Sequence, residues 1–378
     1  MVTQSNLNEL LLKPVEVRDG VRGTERPQGL MDYIPEDSRP LQKIANHHIV
    51  SARQFDRDVL FQVCRLACSY ECEATLMHKP LSGKLLISAF YEPSTRTRIS
   101  FESAWHRLGG DIMSITDPAT TGMAKGESLQ DVAEMFSNYG DVMVLRDNRE
   151  KSIYNMLESL RIPIINAGTG VDEHPTQAMA DMYTIFKWRP DLIDAVIPED
   201  RKIRFGIIGT PARMRTVRSL LLFLTLIKQA IHEVVVINPR EDIFDEGQRE
   251  ELEAAGLKVR TERRLKGVLP ELDVIYINSI AWVGETYEKL TGDLKLSAQS
   301  QLKAGAIVLH PLARGDELDV SLDPTPHNWY FAQARGAVFV RMALLTCLVQ
   351  RINRVLDAPT PNQDFRAESD GDQEAQDV

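Results

Sequence analysis

Predicted strands and helices alternate along most of the chain, judging from the spacing of its apolar residues. The continuous apolar run KLLISAF (84–90) predicts a buried strand, and STRTRISFESAWHRLGG (94–110) predicts an amphipathic helix that ends at glycine. Further strands and helices follow in turn as far as IPIINAG (162–168), which predicts another strand. Strands that alternate with helices are typical of a parallel sheet covered on both faces, so we predict an α/β fold.

A second alternating set begins at KIRFGIIG (202–209) and indicates a second domain of similar size. We expect the first domain to span residues 46–189 and the second to span 190–336, each with a mostly parallel sheet flanked by helices. An apolar helix predicted at 337–356 is long enough to pack back on the first domain.

The ends of the chain and its net charge limit its surroundings and partners. Segment 1–45 is rich in proline and charge and is expected to be an irregular extension, and the acidic segment 359–378 is expected to be a disordered tail. The formal net charge of −10 argues against a nucleic-acid partner. The N-terminal segment lacks a secretory signal pattern, and no apolar run approaches the ~20 residues that span a bilayer. We therefore expect a cytoplasmic protein without a membrane partner.

Three of the four cysteines, Cys64, Cys68 and Cys72, recur at helical spacing. Thiols on one helix cannot all bridge one another, and no nearby histidine or fourth cysteine completes a tetrahedral set of metal ligands. We interpret them as small residues on a packed helix face, and we expect no metal site.

Hydroxyl and guanidinium groups crowd the start of the helix that follows the first strand, at Ser94, Thr95, Arg96 and Thr97. Unpaired backbone N–H groups at a helix N-terminus favour an anion, and these side chains would complete a phosphate site. An ordinary helix cap with surface arginines explains the same residues equally well, because no GxxxxGK[ST] loop is present. This segment alone leaves both interpretations open.

Polar side chains also follow other predicted strands. Arg146 comes after an apolar strand, and His174 and Gln177 lie between a strand and a helix. Arg215 and the segment HPLAR (310–314) follow strands of the second domain. Ligands of parallel sheets bind beyond the carboxyl ends of the strands. A single histidine is more often structural than catalytic, but these positions together predict one cleft between the domains.

The motifs STRTR (94–98), HPTQ (174–177) and HPLAR (310–314) occur in that order, and together they resemble the aspartate/ornithine carbamoyltransferase family. The resemblance covers roughly residues 46–356. Within the family, RTVRSL (215–220) and TPHNWYFAQARGAVFVRMALL are most similar to the aspartate branch. The resemblance implies a two-domain enzyme that transfers a carbamoyl group from carbamoyl phosphate to an amino group, without a metal or another cofactor.

The resemblance further implies that one part of the cleft binds carbamoyl phosphate. The residues it implies for this are Ser94, Thr95, Arg96, Thr97, Thr121, Lys125, Arg146, His174, Gln177, Pro311 and Leu312. Thr97, Arg146 and His174 would face the carbamoyl carbonyl, where donors stabilise the negative charge of a forming tetrahedral centre. Gln177 and nearby main-chain carbonyls would accept from the carbamoyl nitrogen. The implied catalytic residues are Arg96, Thr97, Arg146, His174 and Gln177.

An oligomer is also implied, because family members are built on homotrimers, some paired as dimers of trimers, whose active sites lie between subunits. The loop TTGMAKGES (120–128) is similar to the loop that a neighbouring subunit donates. Thr121 and Lys125 would then act in the active site of an adjacent copy. Without the resemblance, Lys125 is better explained as a mobile surface lysine beside Gly126.

The acceptor-binding part departs from the family pattern. Where aspartate carbamoyltransferases have arginine, glutamine and arginine after the strand DVIYINS, this chain has Ser279, Ala281 and Gly284. Of the ornithine-branch pattern only Gly284 is kept. Losing two guanidinium groups removes strong bonds to a dicarboxylate. The residues expected to bind the acceptor are Arg215, Lys125, Asn278, Ser279 and Leu312.

Three more residues bear on the acceptor. Glu92 is available to pair with Arg215, and Arg213 is either a replacement for a lost cation or a solvated surface charge. Ala313 stands where the family has a proline, which a cis peptide joins to the preceding leucine. Either the Leu312–Ala313 bond is cis as well, or the neighbouring carbonyls are placed differently.

We therefore expect a carbamoyltransferase whose acceptor is a small amino acid or amine, either similar to aspartate or non-standard. The alternative is a catalytically silent homologue that acts as a scaffold or regulatory chain. The retained Arg96, Arg146, His174 and Lys125 argue against a silent chain. A nucleotide-binding oxidoreductase is the weakest interpretation, because FGIIGTPARM contains no GxGxxG.

Overall fold

Two parallel sheets flanked by helices form the part of the chain that the structure, a computed structural model, describes. The described residues are 27–72, 79–149, 151–170, 172–278, 280–283, 286–289 and 294–349. In chain order their helices are α1 (Pro27–Tyr33), α2 (Arg57–Cys72), α3 (Thr95–Arg107), α4 (Leu129–Tyr139), α5 (Ser152–Leu157), α6 (Pro175–Trp188), α7 (Arg215–Thr225), α8 (Gln248–Ala254) and α9 (Tyr330–Val349). The predicted α/β fold class is confirmed.

The first sheet has the strand order β2-β1-β3-β4, and its neighbouring strands are parallel. Its strands are β1 (Leu85–Phe90), β2 (Asp111–Ile115), β3 (Val142–Asp147) and β4 (Ile164–Thr169). The inner strand β1 is almost wholly buried, whereas the edge strand β2 is largely exposed. Continuous apolar runs therefore mark the strands that helices cover on both faces.

The second sheet has the strand order β11-β8-β5-β6-β7 and is also parallel. Its strands are β5 (Ile203–Ile208), β6 (Ile231–Ile237), β7 (Val259–Glu262), β8 (Val274–Ile277) and β11 (Ile307–Leu309), and the strands β9 (Ile280–Val283) and β10 (Thr286–Lys289) form a separate antiparallel hairpin. Strand β7 and the hairpin were not predicted. The strand β7, VRTE, is short and mostly polar, so it carries no apolar run.

One hydrophobic core joins the two sheets. Leu86 and Phe90 of β1 and Phe205 of β5 all belong to this core. The opposite faces of the sheets have separate cores, with Ile87 of β1 in one and Ile208 of β5 in the other. Side chains alternate between the two faces of a strand, which explains how one strand contributes to two cores.

Residues 27–44 differ from the irregular extension that the sequence predicted for 1–45. They contain helix α1 and a short 3-10 turn, Arg39–Lys43. Leu30 and Leu41 are buried in the main core, and helix α1 packs on α2. Proline at position 40 fits the first turn of a helix, where its missing N–H costs no hydrogen bond. Residues 1–26 lie outside the described part of the chain.

The long helix α9 packs against α2, α3 and α6, as predicted for the C-terminal helix. It begins at Tyr330 rather than at Ala337, because Gly336 lies inside the helix instead of ending it. There the glycine lets the ring of Tyr183 approach, since a Cβ atom at Gly336 would lie 3.0 Å from that ring. The helix is long and apolar enough to cross a membrane, but 78% of its most apolar stretch is buried inside the protein. The expected helix residues 350–356 and the acidic tail lie outside the described residues.

Candidate active site

A cleft of about 340 Å³ lies where strands of both sheets end. Its lining residues are Pro93, Ser94, Thr95, Arg96, Thr97, Arg146, His174, Gln177, Arg213, Met214, Arg215, Thr216, Asn278, His310, Pro311, Leu312 and Ala313. They lie at the ends of strands of both sheets, as Arg146 of β3 does, or in the turns and helix starts that follow these strands. The predicted convergence of these strand ends is therefore observed.

Most of the residues predicted for the site line this cleft, with three exceptions. Thr121 and Lys125 lie in a loop of short 3-10 turns and do not line the cleft of their own chain. Ser279 lies outside the described residues. The prediction missed Met214 and Thr216, although each is adjacent in sequence to Arg215.

The start of helix α3 decides between the two interpretations of the STRTR segment. Ser94 is the N-cap residue, yet its side chain makes no capping hydrogen bond. Arg96 has no ion pair within the ranges that the structure describes, whereas Arg98 pairs with Glu102 at 3.1 Å. The hydroxyl of Ser94 and the guanidinium of Arg96 are thus available at a helix N-terminus. This favours an anion site over an ordinary cap.

A buried carboxylate, Glu92, holds two arginines of the cleft. The Arg146 guanidinium donates to it at 2.6 Å, and the Arg215 guanidinium donates at 2.8 and 3.0 Å. Arg146 lies in strand β3 of the first sheet, and Arg215 is the first residue of helix α7, which follows strand β5 of the second sheet. The carboxylate therefore links the two sheets. Burial raises the pKa of Glu92, but the hydrogen bonds and charges of the arginines outweigh burial and hold this pKa below its ordinary value. The predicted pairing of Glu92 with Arg215 is observed.

His174 caps helix α6 and is buried. Its backbone N–H donates to the hydroxyl of Ser219 at 3.0 Å, and that hydroxyl donates to Glu173 at 3.0 Å. Burial and the nearby positive charges of Arg146 and Arg215 lower the pKa of His174 well below its ordinary value. The imidazole is therefore neutral at physiological pH and can donate one N–H to a carbonyl oxygen.

Gln177 belongs to a buried network that the sequence did not reveal. Its side-chain Nε2 donates to Asp181 at 2.8 Å, and Gln333 donates to the same carboxylate oxygen at 2.6 Å. With its amide nitrogen held by Asp181, Gln177 is left with its amide oxygen as an acceptor at the cleft. Asp181 lies one helical turn from Gln177, but Gln333 is 152 positions from Asp181, so this contact depends on the fold.

The HPLAR loop is held by the ring of His310. The ring accepts the N–H of Leu312 on Nδ1 at 2.7 Å, so Nε2 carries the proton and donates to Glu317 at 2.9 Å. Burial lowers the pKa of His310, although Glu317 opposes this shift. The Leu312–Ala313 peptide is cis, which answers the alternative that the sequence left open. These contacts hold the main chain of Pro311 and Leu312 at the cleft.

Arginine and histidine donors beside the amide of Gln177, at the strand ends of two α/β domains, are an arrangement that a group-transfer enzyme can use. Two family models match the chain. The model for the aspartate/ornithine carbamoyltransferase carbamoyl-P binding domain matches residues 47–187, and the model for the Asp/Orn binding domain matches residues 201–348. The chain belongs to the aspartate/ornithine carbamoyltransferase family.

Relatives and solved structures agree with this family. The chain is 37% identical to the aspartate carbamoyltransferase catalytic subunit of Methanopyrus kandleri, over 82% of this chain and 99% of that protein. It is 37% identical to the corresponding subunit of Sulfolobus acidocaldarius, over 79% and 98% of the two chains. The aspartate transcarbamoylase of Trypanosoma cruzi, solved with carbamoyl aspartate and phosphate, aligns with a TM-score of 0.72 at 30% identity, covering 84% of this chain and 100% of that one. The chain is therefore an enzyme of the carbamoyltransferase kind, and the predicted family is confirmed.

Proposed function

We propose that the protein transfers the carbamoyl group of carbamoyl phosphate to the amino group of a small amino acid or amine, and that the interdomain cleft is its active site. The observation that carries this proposal is the meeting of three groups in one cleft: the uncapped start of helix α3, neutral His174, and the amide oxygen of Gln177. The Trypanosoma cruzi enzyme has been solved with carbamoyl phosphate, which supports the assignment of the donor.

The donor phosphate would bind at the start of helix α3. Backbone N–H groups, the hydroxyls of Ser94, Thr95 and Thr97, and the guanidinium of Arg96 all lie there. A phosphate dianion gains both from the helix dipole and from charge-assisted hydrogen bonds. This part of the cleft, together with Arg146, His174, Gln177, Pro311 and Leu312, is called the donor half below.

The reaction would proceed by direct attack of the unprotonated amine on the carbamoyl carbon. The new C–N bond forms, the bond between the carbamoyl carbon and the phosphate oxygen breaks, and the departing phosphate takes the proton of the amine. Negative charge develops on the carbonyl oxygen, where N–H donors of Arg146 and His174 stabilise it by roughly 3–4 kcal/mol each. Gln177 orients the carbamoyl nitrogen, so no covalent enzyme intermediate is required.

The acceptor would bind beside the donor, among Arg213, Met214, Arg215, Thr216 and Asn278, called the acceptor half below. Asn278 is fixed there by a hydrogen bond from its Nδ2 to the hydroxyl of Thr216 at 3.0 Å. The named relatives are aspartate carbamoyltransferase subunits, which makes aspartate the first acceptor to test. The residues at 279, 281 and 284 carry no charge, which supports an acceptor other than aspartate.

The enzyme would act as a homotrimer, or as a dimer of trimers, with each active site completed by a neighbour. Thr121 and Lys125 do not line the cleft of their own chain, and Lys125 is exposed. Both features fit a loop that reaches into an adjacent active site. The lysine would then add a positive charge between the donor and the acceptor.

An assay with a panel of acceptors tests the proposal. The protein is incubated with carbamoyl phosphate and with aspartate, asparagine, glycine, β-alanine, ornithine or putrescine, while phosphate and ureido product are both measured. Equal amounts of the two products with at least one acceptor are expected. A protein that turns over none of them and does not bind phosphonoacetamide, a stable mimic of the donor, would act as a scaffold instead.

A further inference from the structure

We propose that Asp181 positions the groups that would recognise the carbamoyl nitrogen, and that it thereby makes the donor half selective for a carbamoyl group over an acetyl group. This inference rests on the proposed carbamoyl transfer and adds the residue that selects the donor. Asp181 is buried and does not line the cleft, so it is a positioning residue that acts through its neighbours.

One carboxyl oxygen of Asp181 fixes the orientation of two glutamine amides. The Nε2 atoms of Gln177 and Gln333 donate to the same oxygen, at 2.8 and 2.6 Å. Because an unprotonated carboxyl oxygen only accepts hydrogen bonds, each glutamine turns its nitrogen toward Asp181 and its oxygen away from it. For Gln177 this leaves the oxygen at the cleft, where it can accept from an N–H group.

The second glutamine connects Asp181 to the HPLAR loop. The oxygen of Gln333, turned away from Asp181, accepts the backbone N–H of His310 at 2.8 Å. The ring of His310 in turn accepts the N–H of Leu312 at 2.7 Å. Asp181 is therefore connected to the main-chain carbonyls of Pro311 and Leu312, which are the other acceptors expected for the carbamoyl nitrogen.

These two sets of acceptors come from different parts of the fold. Gln177 lies in the first turn of α6, whereas the HPLAR loop follows strand β11 of the second sheet. Asp181, one helical turn after Gln177, and Gln333, in the first turn of α9, join them. A methyl group cannot donate to an oxygen, so oxygens held in place around this position favour an amino group over a methyl group.

The carboxyl group of Asp181 lies where the protein disfavours an acid. The side chain is buried, and it makes no ion pair among the residues that the structure describes. Burial raises its pKa to about 7, against the opposing effect of the hydrogen bonds from the two glutamines. An apolar residue would fill a merely structural position at lower cost, and ionisable groups in such surroundings are concentrated at functional sites. This favours a role of Asp181 in the cleft over a role in packing alone.

A matched pair of donor mimics tests the proposal by calorimetry. Phosphonoacetamide carries an amino group on its carbonyl carbon, and 2-oxopropylphosphonate carries a methyl group there and is otherwise identical. The wild-type protein should bind the amide about tenfold or more tightly than the ketone. Asp181→Ala should reduce this preference to within about twofold, because the amide of Gln177 can then turn either way. Asp181→Asn keeps an oxygen between the two glutamines and should retain the preference.

Glu71→Ala is the matched control. Glu71 is a buried carboxylate that also binds residues of α6 and α9, Lys187 at 2.9 Å and Arg335 at 3.1 Å, but it lies outside the cleft lining. This variant should lose stability and keep the full preference for the amide. If Asp181→Ala does not fold, Gln333→Met breaks the connection to the HPLAR loop alone and should reduce the preference by about threefold or more.

Four results would overturn the role of Asp181. They are a wild-type protein that binds both mimics equally, a full preference kept in Asp181→Ala or, where that variant does not fold, in Gln333→Met, a preference lost in Asp181→Asn, and a preference lost in Glu71→Ala. The last result would mean that any damage to the packing of α6 and α9 relaxes the cleft. Failure of phosphonoacetamide to bind the wild-type protein would instead contradict the proposed function itself.

Discussion

Two arginines of helix α3 differ in what their removal should do. Arg96 lines the donor half and has no ion pair among the described residues, whereas Arg98 pairs with Glu102 one turn further along. We expect Arg96→Gln to weaken the binding of phosphonoacetamide by about 100-fold, because a charge-assisted bond to the phosphate is lost. The temperature of unfolding should stay unchanged, since Arg96 makes no ion pair within the described protein.

Arg98→Gln is the matched control for this measurement. It removes the same charge two residues away, and its effect on phosphonoacetamide binding should remain within about threefold, as for a screened surface charge. Equal losses in the two variants would mean that the arginines act only through the general positive potential of the helix start.

The buried carboxyl of Asp181 should make stability depend on pH. Burial raises the pKa of Asp181 from 3.8 to about 7, although hydrogen bonds from Gln177 and Gln333 act in the opposite direction. The folded protein then holds a proton that the unfolded chain releases, so this contribution to stability is present below about pH 4 and is lost as the pH rises to about 7.

Asparagine at this position cannot titrate but keeps the oxygen that accepts from both glutamines. The free energy of unfolding of Asp181→Asn, relative to wild type, should therefore rise between pH 4 and pH 7, by on the order of 4 kcal/mol. Urea denaturation at several pH values measures this difference. A difference that is constant over this range would show that Asp181 is ionised throughout.

At the scale of elements, two glycines should respond in opposite ways to alanine. At Gly110, between α3 and β2, a Cβ atom would lie 2.2 Å from Nε1 of Trp105, whose buried ring donates to Asp111 at 2.7 Å. Gly110→Ala should therefore lower the free energy of unfolding by about 2–3 kcal/mol. Gly29, inside helix α1, has nothing within 4 Å of the added atom. Gly29→Ala should raise this free energy by about 0.5–1 kcal/mol.

Thermal unfolding of both variants checks these signs. If Gly110→Ala were neutral, the turn before β2 would have room to shift away from Trp105. A destabilised Gly29→Ala variant would mean that α1 is not a regular helix in solution.

The elements that the sequence predicted are those whose apolar pattern is decided locally. Strands β1, β3 and β5 are mostly apolar, because both of their faces are covered. Helix α1 was missed because its few buried residues stand among prolines and charged residues. The start of α9 was misplaced because Gly336 lies inside the helix, where it allows close packing, and does not end a segment. Both features depend on contacts with residues far away in the chain, which a local pattern of apolar residues does not reveal.

The residues of the candidate site were likewise predictable where a local motif marks them, and unpredictable where a contact between distant residues places them. Ser94 to Thr97, His174 and Gln177 stand in motifs at strand ends, so the sequence indicated them. The link from Asp181 to Gln333 joins residues 152 positions apart and follows only from the fold. Arg213, which the sequence left as either a replacement cation or a solvated charge, lines the cleft and makes no side-chain hydrogen bond or ion pair among the described residues.

At the scale of the whole molecule, Glu92 and Glu251 are two carboxylates that connect the halves of the protein. Glu92 is 4% exposed and binds Arg146 and Arg215, whereas Glu251 is 42% exposed and pairs with Arg53. Glu92→Gln leaves two buried cations without their counter-charge and should lower the free energy of unfolding by about 3 kcal/mol or more. Glu251→Gln should cost less than about 1 kcal/mol. Similar losses in both variants would contradict a special role of Glu92 in joining the sheets.

Mixing two inactive variants tests whether subunits share active sites. His174→Ala removes a residue of the cleft itself, and Lys125→Ala removes one that we propose to act in a neighbour. Random trimers assembled from equal amounts should regain about one quarter of the wild-type activity, because one site in four then has both residues intact. No regained activity in reassembled mixtures would mean that each chain works alone.

The last helix of this protein to be synthesised packs on helices that are among the first. The main core that surrounds α2, α3 and α6 is completed by α9, which begins only at Tyr330. The ribosome therefore makes the whole second sheet before the helix faces that α9 covers can be buried. Until α9 is made, the faces of α2, α3 and α6 that it covers have no partner, and partly folded chains with exposed apolar faces are prone to aggregation.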